Sequence, residues 1–154
     1  MKNTLITAFI VGLISSIAFI IFQPLFGLAT LTSRHAAAYV NFGGYSESVA
    51  LIVSWFVHIS VSIVYAVIST VIFNFNHSLW VSSLQVIVLG WFTTLIATPA
   101  NEWMVKLVNT STFTPLSDLA PLNTAIGPKF WLHVMFFVFV VLGLCFKKVQ
   151  IDKK

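Results

Sequence analysis

The chain has 154 residues, of which 58% are apolar and only 8% charged, and its formal net charge is +4. A soluble domain carries roughly 25% charged residues to keep its surface wet; eight basic and four acidic side chains cannot cover a globule of this length. Most of the surface must therefore face lipid, which excludes a secreted enzyme, a nucleic-acid-binding module and a disordered tail. The basic residues stand singly or in two terminal pairs, Lys147-Lys148 and Lys153-Lys154, without the stripe that phosphate binding requires. The predicted partner is the bilayer, not nucleic acid.

Four apolar runs are long enough for a helix of about 20 residues to cross a bilayer. The first covers residues 5–22 and stops at Gln23-Pro24. Its apolar stretch, 18 residues long, exceeds the roughly 7–15 of a cleaved leader, so it is expected to be a retained span. The second covers residues 49–73 and stops at Asn74. The third covers residues 79–98 and is expected to end at Pro99, and the fourth covers residues 130–146 and is closed by Lys147-Lys148. None contains Asp, Glu, Lys or Arg. The runs lack period-2 alternation, and lipid tolerates no open sheet edge, so the prediction is an all-α integral membrane four-helix bundle in one domain over residues 1–154.

Two longer loops lie on the side away from the termini, and a tight turn at 74–78 makes the second and third spans an antiparallel hairpin. Both loops carry apolar segments, Leu25-Phe26-Gly27-Leu28 and Tyr39-Val40-Asn41-Phe42 in the first, Trp103-Met104-Val105 and Leu107-Val108 in the second. They are expected to lie in the interface or fold over the bundle. Pro115, Pro121 and Pro128 keep the rest of the second loop non-helical. Trp80, Trp103 and Trp131 fall at span ends, where aromatic belts belong.

The strongest pattern inside the membrane is on the second span. Ser54, His58, Ser62, Tyr65 and Ser69 follow one another at steps of four, four, three and four. On a helix they lie within an arc of about 80°. A polar stripe in hydrocarbon turns toward protein. The plainer reading is helix–helix glue, supported by the small pairs Gly12/Ser16 in the first span and Gly90/Thr94/Thr98 in the third. The sharper reading is a polar path or pocket in which His58 and Tyr65 are the working groups. Gln85 also lies within the third span and needs a partner there.

His58 and His133 both fall in the half of the membrane nearer the long loops, His58 roughly 12 Å and His133 roughly 5 Å from its surface at 1.5 Å per residue. Glu47 and Glu102 flank that side. Two such imidazoles are one option for holding a haem b between helices, and a metal with one carboxylate is another, although no H-x-x-H, H-E-x-x-H or C-x-x-C spacing is present. The simpler expectation is no cofactor, with each histidine hydrogen-bonded inside the bundle. No hydrolase motif occurs and no Asp lies in a span, so no catalytic residue is assigned.

The segment His58-Ile-Ser-Val-Ser-Ile-Val-Tyr-Ala-Val67 resembles the H-x-x-x-S-I-V-x-A-V segment of the YagU-like family of small bacterial inner-membrane proteins. Ala8-Phe9-Ile10 with Gly12-Leu13-Ile14, Leu79-Trp80, and the aromatic stretch around His133 are similar to its other helices. The charged residues of the family's first helix are replaced here by Phe22, Gln23 and Pro24. The resemblance implies a multi-pass protein of the bacterial inner membrane and brings no activity with it. Five cations on the side of the termini (Lys2, Lys147, Lys148, Lys153, Lys154) against three opposite (Arg34, Lys106, Lys129) predict both termini in the cytoplasm. The functional expectation is a structural or accessory membrane protein, alone as an oligomer or in a larger complex. The alternatives are a transport or permeation component working through the stripe, and a bis-histidine haem protein.

Overall fold

The computed structural model describes residues 2–152; Lys153 and Lys154, counted in the cation tally, lie outside the described residues. Five α-helices follow in order: α1 (Lys2–Phe22), α2 (Leu31–Gly43), α3 (Glu47–Phe75), α4 (Leu79–Thr110) and α5 (Pro128–Asp152). Four of them, all but α2, are long and apolar enough to cross a membrane, with mean hydropathies from 1.7 to 2.7. The protein is an all-α, multi-pass membrane bundle.

Local chemistry sets the boundaries. Pro24 sits in the first turn of a short 3₁₀ segment (Gln23–Phe26) after α1, and Gly27 closes it at φ 68°, donating its N–H to the Pro24 carbonyl. Gly44 ends α2 in the same left-handed region at φ 65°, which glycine adopts without steric cost. Between α3 and α4 the Asn76 carboxamide accepts the Ser78 N–H at 2.8 Å. The Ser78 hydroxyl then caps α4 by accepting from Val81. Pro128 occupies the first position of α5, where its missing N–H leaves no gap.

α1 packs between α3 and α5, α4 packs on α5, and α2 lies across α3 and α4. The turn at 76–78 does make α3 and α4 an antiparallel pair, yet each packs more closely on other helices than on its partner. The central core is aromatic and aliphatic, with Phe19, Phe136, Phe137, Val140 and Leu144 buried. A second, smaller core forms where α2 folds over the bundle: Tyr39 packs on Ala50 of α3 and Val105 of α4. Large apolar side chains such as Phe9, Ile52, Phe56 and Leu84 point outward, as lipid contact requires. Close approach inside comes from glycine. A Cβ at Gly12 would stand 2.9 Å from the Ile63 Cα, and one at Gly90 would stand 2.8 Å from a Val134 methyl.

The third long helix departs from its sequence expectation. It does not end at Pro99 but runs through it to Thr110. Proline removes the N–H that would bond the carbonyl four residues back, here that of Leu95. The 111–127 loop supplies the replacement, because Asn123 N–H donates to the Leu95 carbonyl at 2.9 Å. The same loop is held by Ala120 N–H on the Glu102 carboxylate at 2.8 Å and by Lys106 Nζ on the Asp118 carbonyl. The loop is thus stitched along the extension of α4 that it follows.

Replacing Pro99 by Ala returns an N–H that competes for the Leu95 carbonyl. Amide exchange at Asn123 is expected to accelerate while α4 stays helical; unchanged exchange would show that the proline does not anchor the loop.

Candidate functional site

The polar stripe of α3 faces inward and reaches the surrounding helices. Ser54, fully buried, donates its hydroxyl to the Thr32 carbonyl of α2 at 2.7 Å. His58 is 7% exposed, and its Nε2 lies 3.1 Å from the Ser16 carbonyl of α1. A carbonyl only accepts, so Nε2 carries the proton and donates. Ser69 accepts from Gln85 Nε2 of α4 at 3.1 Å, which engages the amide nitrogen of Gln85, while its buried Oε1 has no hydrogen-bond partner among the described residues. Ser62 is buried, and Tyr65 is half-buried with its ring edge against Phe137 of α5, centroids 5.8 Å apart.

A second polar link joins α4 to α5. Thr94 Oγ1 donates to the Gly90 carbonyl at 2.7 Å and lies 2.9 Å from His133 Nδ1. The hydroxyl has one proton and it is committed to Gly90, so His133 Nδ1–H donates to Thr94. Phe19 of α1 stands between the two histidines. Its ring is stacked on that of His133 at 5.6 Å and tilted against that of His58 at 5.5 Å. Both imidazoles therefore flank one ring despite the different depths expected from helix rise.

A haem held by His58 and His133 would need the space that the Phe19 ring fills between them. The residues present do not fit that group. Among the described residues no three His, Cys, Asp or Glu side chains gather where a metal could be held. Nor do the two glutamates join the histidines: Glu47 is exposed at the start of α3, while Glu102 pairs with Lys106 at 2.8 Å and holds the 111–127 loop.

Sequence reading overlooked a second histidine-bearing face. On α2, Thr32, His35 and Tyr39 are all buried and follow at steps of three and four, a spacing that was available in the sequence. The His35 and Tyr39 rings meet edge to face at 6.3 Å, and Tyr39 meets Tyr45 in the same way at 6.2 Å. Burial, with the Arg34 and His58 charges adding to it, pushes the His35 pKa down from 6.5 to about 4. The ring is held neutral inside the cap of the bundle.

No protein-family model, curated protein or solved structure matches this chain. Its chemistry is therefore read from its own residues. The two imidazoles around Phe19 and the hydroxyls of Ser54 and Ser69 on α3 bind helix to helix.

Two outcomes follow from this geometry. Thr94→Val leaves the His133 Nδ1–H without its acceptor and should cost about 1–3 kcal/mol of stability in detergent unfolding, whereas Thr94→Ser should restore most of it. Equal stability of the Val and Ser variants would remove the bond from the account. The second outcome concerns pH. His35 has a folded pKa below its unfolded one, so the unfolded chain binds more protons between these values. The stability it contributes is complete above about pH 6.5 and is lost as pH falls toward 4, by up to about 3 kcal/mol. His35→Phe should flatten this part of the profile, and an unchanged slope would sink the assignment.

Proposed function

We propose that the chain is an accessory protein of the bacterial inner membrane, which crosses four times with both termini in the cytoplasm and acts as a packing partner. Its counterpart is another copy of itself or a larger membrane complex. The observation that carries this reading is where the polar atoms go: the buried groups of Ser54, His58, Ser69 and His133 are engaged by neighbouring helices. A stripe that serves as adhesive between helices leaves those groups occupied rather than open to a solute. The broad apolar exterior gives such a protein the surface by which it would meet a partner helix. Location rests on the resemblance to the YagU-like family, and orientation on the five-to-three division of cations.

Two measurements test it. A reporter active only in the periplasm, fused after Lys154, should stay silent; activity there would invert the orientation. Proton and solute flux in liposomes containing the purified chain should match that of empty liposomes. Flux above that level which His58→Leu abolishes would replace this reading with permeation along the stripe.

A further inference from the structure

The two ends of the bundle differ. The end of the long loops is covered by α2 and by the 111–127 loop. The end where the chain begins and finishes holds a cleft of about 870 Å³ between the N-terminal half of α1, the end of α3 and the end of α5. That volume is within the range of roughly 300–1,000 Å³ that ligand sites occupy. Its origin lies in the packing of α1. A Cβ added at Gly12 would press on Ile63 of α3, and one at Gly143 of α5 would stand 3.1 Å from Val11, so the three helices meet at this level. From there toward Thr4 the space between them is open.

The lining is divided by chemistry. Ile6, Ile10, Ile14, Phe73 and Leu144 make an apolar trough. Lys147, Lys148, His77 and Asn74 stand at its mouth, and among the described residues no carboxylate lines it. Neither lysine makes an ion pair among the described residues. Length adds a second constraint. The wall supplied by α1 extends from Thr4 to Ile14, a rise of roughly 15 Å, which is half of the roughly 30 Å hydrocarbon core. A trough one leaflet deep, with two ammonium groups where long basic side chains reach the headgroups, is complementary to an amphiphile with one acyl chain in the trough and an anion at the top.

We propose that this cleft is a binding site for a single phospholipid with an anionic headgroup, drawn from the leaflet on the side of the termini. One acyl chain lies along Ile6, Ile10 and Ile14, and the phosphate is held by Lys147 and Lys148. The site is independent of the accessory role, since it uses none of the stripe residues.

The test is native mass spectrometry of the full chain, delipidated in a non-ionic detergent and titrated with phosphatidylglycerol or with phosphatidylcholine of identical chains. Phosphatidylglycerol is expected to bind at least about tenfold more tightly, because each basic residue near an anionic headgroup adds to the attraction. Lys147→Gln with Lys148→Gln should erase that preference while leaving chain binding. Ile10→Trp should fill the trough and weaken both lipids. Arg34→Gln with Lys129→Gln removes the same charge at the opposite end and should leave the preference intact. The lysine pair lies at the end of the bundle, so those variants remain informative if Ile10→Trp does not fold. Equal affinity for the two lipids, an unchanged preference without the lysines, or an equal loss in the Arg34/Lys129 control would overturn the site, as would a lipid-free dimer closed over the trough.

Discussion

Hydrocarbon offers no hydrogen bonds, so a polar group carried into the membrane must find its partner within the protein. Much of this structure can be read as the working out of that constraint. Ser54, His58 and Ser69 reach α2, α1 and α4 respectively, which makes α3 the hub of the bundle. His133 does the same for α4 and α5 through Thr94. Even the proline in α4 obeys the rule. Its missing N–H frees a carbonyl, and a loop amide comes to satisfy it. Each bond also selects an arrangement, because sliding one helix along another would strand both members of the pair.

Hydrogen bonds alone would not hold such a bundle. Lipid tails are as apolar as a leucine side chain, so apolar burial gives little net drive for helices to associate, and close van der Waals contact must supply it. This explains the distribution of size. Gly12 and Gly90 sit where backbones touch, while Phe9, Ile52 and Phe56 face outward. Three of the buried aromatics, Phe19, Phe136 and Phe137, form one layer with ring centroids 5.1–6.2 Å apart and edge-to-face geometry, an arrangement favoured by the ring quadrupole.

The parts of this fold that were legible in the sequence are those written in one dimension. Four uncharged apolar runs located the long helices to within a few residues at most ends, and the three- and four-residue steps placed Ser54 through Ser69 on one face. What escaped is set by contacts between distant segments. Pro99 looks like a stop because the sequence does not reveal that Asn123 will take up the Leu95 carbonyl. Thr94 looks like one member of a small-residue pair because its bond to His133 spans 39 positions. His35 lies in a stretch read as an apolar loop, so its helical spacing with Thr32 and Tyr39 went unused. The depths assigned to His58 and His133 assumed upright helices, whereas both rings settle against Phe19.

The same core bears on what one copy of the chain can do. The stripe runs from Ser54 to Ser69 through the middle of α3 (Glu47–Phe75), which on a helical wheel looks like a path. A solute following it would meet Phe19 between the two imidazoles, then Phe136 and Phe137, all with at most 5% exposure. To let it pass, those rings would have to leave a close-packed layer, and the helix–helix bonds of His58 and His133 would have to open with them. At the loop end, Tyr39, Ala50 and Val105 form a further closed layer. The unfilled volume is at the other end and stops near Gly12 and Gly143, about one leaflet deep. The bundle is thus closed at the loop end and cleft at the other, so the lipid proposed above would enter it from a single face of the membrane.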